Sequence, residues 1–133
     1  MNELLNEFLI ESYENLDQYE GSLIELEKNP GSKQTVSAIF RTLHTIKGTC
    51  GFLGLGRLEA IAHAGENLLS LVREGTLVFN RAIASALLAT GDAVRAILKE
   101  LESSGAEGSV DYSELVALLV RLQSPEAHEG VQA

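Results

Sequence analysis

His44, Lys47 and Gly48 form a His-x-x-Lys-Gly run whose residue types and spacing are suited to chemistry. The run lies inside an apolar repeat of helical period that marks a buried stripe: Val36, Ile39, Leu43, Ile46, Cys50 and Leu53. At about 100° per residue, His44 points away from that stripe, on an outer face with Arg41, Gly48 and Gly51. Lys47 stands one helical turn from the imidazole. An exposed imidazole beside a cation and a bare backbone segment is suited to carry a phosphoryl group.

The two glycines in the middle of this predicted helix are costly. Each lowers helix stability by up to about 1 kcal/mol relative to alanine. Because both lie on the face of His44, we expect Arg41, Gly48 and Gly51 to form a docking surface that the backbone of a partner protein can approach closely. The alternative is that the glycines pack tightly against the fifth helix of the same chain.

His63 and Glu66 form a second pair, spaced i and i+3 on the next predicted helix. A carboxylate that accepts a proton from one imidazole nitrogen fixes the tautomer and leaves the other nitrogen as the nucleophile. The spacing allows Glu66 to serve His44 or to serve only its neighbour His63, and it leaves both arrangements open.

Other chemistries are less well supported. His44, His63 and Glu66 supply three possible metal ligands, but Glu-x-x-His and His-x-x-x-His spacings are absent and Lys47 would repel a cation. We therefore expect no metal and no cofactor. The sequence also lacks a Gly-x-Ser-x-Gly motif and an ATP-binding motif. The chain is thus predicted to accept and donate a phosphoryl group without catalysing its transfer from ATP.

Length and composition narrow the possible partners and location. The 133 residues suit one domain, and the net charge of -9 argues against binding nucleic acid or an anionic membrane. No apolar run reaches roughly 18 residues, and the first residues do not resemble a signal peptide. The single cysteine, Cys50, excludes an internal disulfide and suits a reducing compartment. We expect a cytoplasmic location, with Cys50 as a small core residue.

The elements that position these side chains follow from apolar periodicity and from helix-breaking residues. Pro30 and Pro125 both lie where a helix is not expected. Helices are predicted from Leu4 to about Lys28, from a Ser32 cap to Leu53, from Arg57 to Arg73, and from an Asn80 cap to Ser103. The short connections favour an all-α, antiparallel up-down four-helix bundle over residues 1–103. A flexible linker (104–109), an additional C-terminal helix (110–123) and a disordered tail or start of an interdomain linker (124–133) are predicted to follow.

Two segments resemble the histidine phosphotransfer domain of CheA-type chemotaxis kinases. They are RTLHTIKGTCGFLG at 41–54 and HAGENLL at 63–69. The similarity covers about Leu4 to Leu122. The His-x-x-Lys-Gly element of the first segment is common to phosphotransfer domains in general. The second segment is more specific to the chemotaxis branch, as is a helix that follows the bundle.

The resemblance implies that His44 is phosphorylated on Nε2 by the ATP-binding kinase domain of the same or a partner protomer, and that it passes the group to an aspartate of a response regulator receiver domain. It implies that Glu66 orients the imidazole, with Lys47 stabilising the phosphate and His63 supporting the network. The isolated domain is expected to be a monomer, either a piece of a larger kinase or a free-standing phosphotransfer protein. A non-catalytic helical interaction module is the alternative from another functional class.

Overall fold

The computed structural model describes residues 3–128. Within that range the chain forms five α-helices and a short 3-10 helix: α1 (Glu3–Lys28), α2 (Lys33–Leu53), α3 (Gly56–Arg73), α4 (Arg81–Ser104), α5 (Ser113–Arg121) and η1 (Pro125–His128). Helix α1 packs between α2 and α4, while α3 packs against the same two helices and closes the four-helix bundle. Helix α5 lies across α3 and α4. The predicted all-α bundle with an additional C-terminal helix is confirmed.

Local signals set the ends of α2 and α4. The side chains of Ser32 and Asn80 accept hydrogen bonds from the backbone N–H groups of Thr35 and Ile83, which confirms both predicted N-caps. Helix α2 ends at Gly54, whose φ of 73° places it in the left-handed region that glycine adopts without strain. These caps fix the first and last residues of α2, and therefore the position of His44 along the helix.

The apolar stripe of α2 is buried almost as the periodicity predicts. Its core side chains are Val36, Ile39, Leu43, Ile46 and Cys50, and Leu53 is half-buried at the end of the helix. Facing side chains of α3 and α4, including Leu58, Leu68 and Leu98, are fully buried against the same core. Burial of these apolar side chains holds α2 and α3 in fixed relative positions, which the site between them requires.

The structure differs from the sequence prediction in the segment between α4 and α5. The Glu107 carboxylate accepts hydrogen bonds from the backbone N–H groups of Arg57 (3.3 Å) and Leu58 (2.7 Å), so it caps the N-terminus of α3. The Arg57 guanidinium in turn donates to the carbonyl oxygens of Gly108 (2.7 Å) and Val110 (3.0 Å). The stretch predicted as a flexible linker is therefore tethered to α3, and α5 begins at Ser113, not at residue 110.

The predicted disordered tail is also partly ordered. Residues Pro125–His128 form η1, and the His128 side chain is buried. Its Nδ1 accepts a hydrogen bond from the Asn80 amide (2.9 Å), and its Nε2 donates to the Leu122 carbonyl (2.8 Å). The rest of that predicted tail, 129–133, lies outside the described residues.

Candidate functional site

Helices α2 and α3 bring three of the predicted site residues into direct contact. His44 Nδ1 lies against Glu66 Oε2, and Lys47 donates a hydrogen bond from Nζ to Glu66 Oε1 over 2.6 Å. The side chains differ sharply in exposure, at 63% for His44, 24% for Lys47 and 7% for Glu66. The carboxylate is therefore held beneath an exposed imidazole, with each of its oxygens bound to a different partner.

The lysine keeps this buried carboxylate ionised. Burial by itself raises the pKa of Glu66, but the hydrogen bonds from Lys47 and His44 and the positive charge of Lys47 together outweigh burial and lower it below its ordinary value. Glu66 consequently carries a full negative charge at neutral pH. It can therefore accept a hydrogen bond from the imidazole throughout the neutral range.

The contact with Glu66 selects one tautomer of His44. A carboxylate accepts hydrogen bonds, so Nδ1 carries the proton of the neutral ring and Nε2 carries the lone pair. Within residues 3–128, no side chain or backbone group forms a hydrogen bond with Nε2. The site therefore presents one unprotonated nitrogen on an exposed ring, the arrangement that a nucleophile requires.

His63 lies at the edge of this arrangement. Its Nδ1 is 3.9 Å from Glu66 Oε1, beyond hydrogen-bonding distance, and its Nε2 is 3.2 Å from the Asn67 amide nitrogen. Of the two arrangements that the sequence left open, the structure shows the carboxylate bonded to His44. His63 therefore lies beside the carboxylate without bonding to it.

The outer face of α2 next to His44 is open. Gly48 is exposed, and a Cβ built there meets nothing within 4 Å. A Cβ on Gly51 would come within 2.9 Å of Glu59 Oε2, the far end of a flexible side chain. No atom of α5 lies within 4 Å of a Cβ built at either position, so packing on α5 does not explain either glycine. The open space at Gly48 is a property of the surface and not of internal packing.

Three further observations bear on other chemistries and on the membrane. Among residues 3–128, no group of three or more His, Cys, Asp and Glu side chains is arranged to hold a metal ion. Burial raises the pKa of the Cys50 thiol to about 12, which keeps it protonated. No helix in the described part of the chain is long and apolar enough to cross a membrane.

The helical order, the buried carboxylate and the exposed imidazole all agree with one family. The sequence pattern named Hpt domain matches residues 3–124. The chain belongs to the Hpt domain family. The predicted resemblance to CheA-type phosphotransfer domains is confirmed with it.

Relatives of this Hpt domain include two much longer proteins. Sensor histidine kinase CheAY of Helicobacter pylori is 33% identical over 107 residues, which is 80% of this chain and 13% of that protein. Chemotaxis protein CheA of Treponema pallidum is 32% identical over 117 residues, which is 88% of this chain and 14% of that protein. The chain thus spans about a seventh of the length of these relatives.

A solved structure matches over nearly the whole domain. The phosphorylated P1 domain of CheA3, in complex with CheY6 from R. sphaeroides, aligns with a TM-score of 0.80 and 33% sequence identity. The alignment covers 96% of this Hpt domain and 98% of that chain. The fold of this Hpt domain is therefore shared with a P1 domain over nearly the whole chain.

One side chain that the sequence did not predict contacts His44, and a second contacts the first. The Phe40 ring is stacked with the imidazole at a centroid separation of 6.1 Å and an interplanar angle of 11°. The guanidinium of Arg73, in the last turn of α3, lies 3.9 Å from the centroid of the Phe40 ring. The i, i+4 spacing of Phe40 and His44 is a signal that could have revealed the first contact. The second depends on how α3 packs against α2, which no local pattern reveals.

Proposed function

We propose that this Hpt domain receives a phosphoryl group on Nε2 of His44 from an ATP-binding kinase domain and passes it to an aspartate of a receiver domain. The observation that carries the proposal is the contact between the buried Glu66 carboxylate and Nδ1 of His44, which leaves Nε2 unprotonated and exposed. The relatives named sensor histidine kinase CheAY and chemotaxis protein CheA support the same assignment, as does the phosphorylated P1 domain of CheA3 solved with CheY6.

In the first step, the Nε2 lone pair attacks the γ-phosphorus of ATP. The Nε2–P bond forms while the bond from phosphorus to the bridging oxygen breaks, and its electron pair leaves with ADP. The imidazole acquires positive charge as it bonds to phosphorus, because the proton stays on Nδ1. Glu66 lies against that proton and stabilises the charge, so no proton needs to be transferred during the reaction.

In the second step, a carboxylate oxygen of the receiver aspartate attacks the same phosphorus in line with the Nε2–P bond. The P–O bond of an acyl phosphate forms, and the electron pair of the Nε2–P bond returns to the ring. Since Nδ1 is still protonated, the leaving group is the neutral imidazole, which is a much better leaving group than an imidazolate. The contact that orients the nucleophile thus also prepares the leaving group.

Lys47 and the docking surface have separate roles in this proposal. Lys47 balances the charge of Glu66 and lies one turn from His44, so it offsets part of the charge that the phosphoryl group brings. His63 supports the network from its edge. Arg41, Gly48 and Gly51 form the surface on which the partner docks. The ATP-dependent donor and the receiver are cytoplasmic in this proposal, and the single unpaired thiol of Cys50 is compatible with that compartment.

The test is to incubate the domain with a chemotaxis kinase core and ATP labelled at the γ-phosphate. We expect acid-labile, alkali-stable phosphate on the wild-type domain and none on His44→Gln. His63→Gln is the comparison variant, because it removes an imidazole of similar exposure on the neighbouring helix; it should still be labelled, but more slowly, since His63 only supports the network. Label on His44→Gln at the wild-type level would mean that a different residue accepts the phosphoryl group, and no label on a correctly folded wild-type domain would support a non-catalytic helical interaction module instead.

A further inference from the structure

The imidazole of His44 has one hydrogen-bonded atom and one packed face. Its Nδ1 is bound by Glu66, and its ring is stacked with Phe40 in a nearly parallel, laterally offset arrangement. An interplanar angle of 11° and a centroid separation of 6.1 Å lie within the geometry that offset ring pairs prefer. The rest of the side chain is largely exposed. Phe40 therefore supplies the aromatic contact to an otherwise open ring.

A single hydrogen bond cannot fix the orientation of this ring. The bond to Glu66 holds Nδ1 in place, but the ring can still tilt about that contact, and a tilt moves Nε2 on the far side. Terminal torsions that end in an aromatic ring have broad minima, so the side chain's own rotamer preference does little to prevent the tilt. A contact with the ring face restricts the motion that the hydrogen bond permits.

Phe40 is itself held from the other helix. It is half-buried on α2, and Arg73 places its guanidinium 3.9 Å from the centre of the ring. This separation is well inside the range of about 6 Å over which a cation is attracted to an aromatic face. Arg73 belongs to the last turn of α3, the helix that also carries Glu66. Both contacts to His44 therefore depend on α3. Glu66 of α3 contacts the ring directly, and Arg73 of α3 holds Phe40 against it.

We propose that Phe40 and Arg73 are positioning residues that hold the His44 ring plane, so that Nε2 points along the line of phosphoryl transfer. The inference rests on the proposed function of His44 and adds a specific role for two side chains outside the polar network. Neither side chain touches the reacting atoms. Their effect is on the fraction of time that the ring spends in a reactive orientation.

The experiment uses the domain as the substrate of the kinase core and measures kcat and KM separately. Phe40→Leu removes the ring but keeps an apolar side chain, and Phe40→Tyr restores the ring face. Arg73→Gln removes the cation, and Arg73→Lys restores it. Arg121→Gln is the matched control, because Arg121 is likewise an exposed arginine in the last turn of a helix. Imidazole ¹⁵N chemical shifts report the tautomer, and nuclear Overhauser effects from the ring to α2 report its orientation.

We expect kcat to fall on the order of tenfold in Phe40→Leu and about threefold in Arg73→Gln, with KM unchanged. Phe40→Tyr and Arg73→Lys should recover most of the rate, and Arg121→Gln should match the wild type. The ring contacts should weaken in both damaging variants, while the Nδ1–H tautomer persists through Glu66.

Wild-type kcat and ring contacts in Arg73→Gln and Phe40→Leu would overturn the inference. Because Arg73 is exposed, Arg73→Gln is informative even if Phe40→Leu folds poorly. The inference would also be overturned if Phe40→Leu lowered kcat and Phe40→Tyr did not restore it, because loss of the ring face would then not explain the lower rate. A wild-type domain that accepts no phosphate would instead refute the proposed function, and the ring contacts measured by NMR would still test the stacking arrangement.

Discussion

Gly48→Gln should make the domain more stable and a poorer phosphoryl donor. Gly48 lies inside α2 and is exposed, and a Cβ at this position meets no atom within 4 Å. Glycine is about 0.8–1.0 kcal/mol less favourable than alanine in a helix, and glutamine is close to alanine. The substitution should therefore raise the free energy of unfolding by about 0.5–1 kcal/mol. For a domain of this size the melting temperature should rise by roughly 2–5 °C.

The same side chain should obstruct transfer. Gly48 follows His44 by one turn on the outer face of α2, so a glutamine there stands beside the path to Nε2. If it holds the receiver back by about 1 Å, the rate of transfer falls on the order of a hundredfold. The assay starts from the phosphorylated domain and follows loss of label to the receiver. Thermal unfolding is measured on the same preparation.

Gly21→Gln provides a close control for this prediction. Gly21 is also an exposed glycine inside a helix, with no atom within 4 Å of an added Cβ, but it lies on α1. It should gain similar stability and transfer its phosphate at the wild-type rate. If Gly48→Gln lowers the melting temperature, Gly48 serves internal packing; if both variants transfer equally fast, the open space beside His44 has no role in docking.

Three other substitutions or treatments test the structure around the site. Folding lowers the pKa of Glu66, so its charged contacts stabilise the domain above the pKa of the unfolded carboxyl group. That stabilisation is lost as the pH falls through the folded pKa. The free energies of unfolding in urea of wild type and Glu66→Gln should therefore differ most at neutral pH and converge in acid. Gly65→Ala should destabilise the domain by about 0–2 kcal/mol, because a Cβ 3.0 Å from Leu43 Cδ1 overpacks the core by about 1–3 kcal/mol while alanine gains about 1 kcal/mol in the helix, and chemical denaturation measures the difference. The Cys50 thiol should resist alkylation at pH 8 in the native state and react readily in denaturant, and rapid native labelling would contradict its burial.

Periodicity and capping predicted the helices because both are local. The apolar repeat of α2 and the caps at Ser32 and Asn80 are set by residues within a few positions of each other, and the structure confirms them. The ordered segment at Pro125–His128 was missed because its sequence is polar and contains a proline. Its order depends on the contact between His128 and Asn80, which are 48 residues apart. The capping of α3 by Glu107 was missed because Glu107 and Leu58 are 49 residues apart in the sequence.

In the candidate site too, the sequence predicted the local contacts but not those that depend on how the helices pack. Helical spacing placed Lys47 beside His44 and Glu66 beside His63, but it did not decide which histidine the carboxylate contacts. That choice depends on the register of α3 against α2, which is set by the packing of buried side chains such as Leu43 and Leu68. A shift of one residue along α3 would turn Glu66 by about 100°. Local sequence patterns do not determine that register, whereas the packed core does.

The arrangement of charges reconciles two demands that oppose each other. A phosphoryl acceptor has to be exposed so that two large partners can reach it in turn, whereas the carboxylate that orients it acts most strongly when water is excluded. The buried Glu66 meets the second demand, and Lys47 offsets the cost of burying its charge. His44 remains mostly exposed on top of this pair. All three side chains lie on α2 and α3, so in the proposed function the packed helices, and not a loop, set their relative positions.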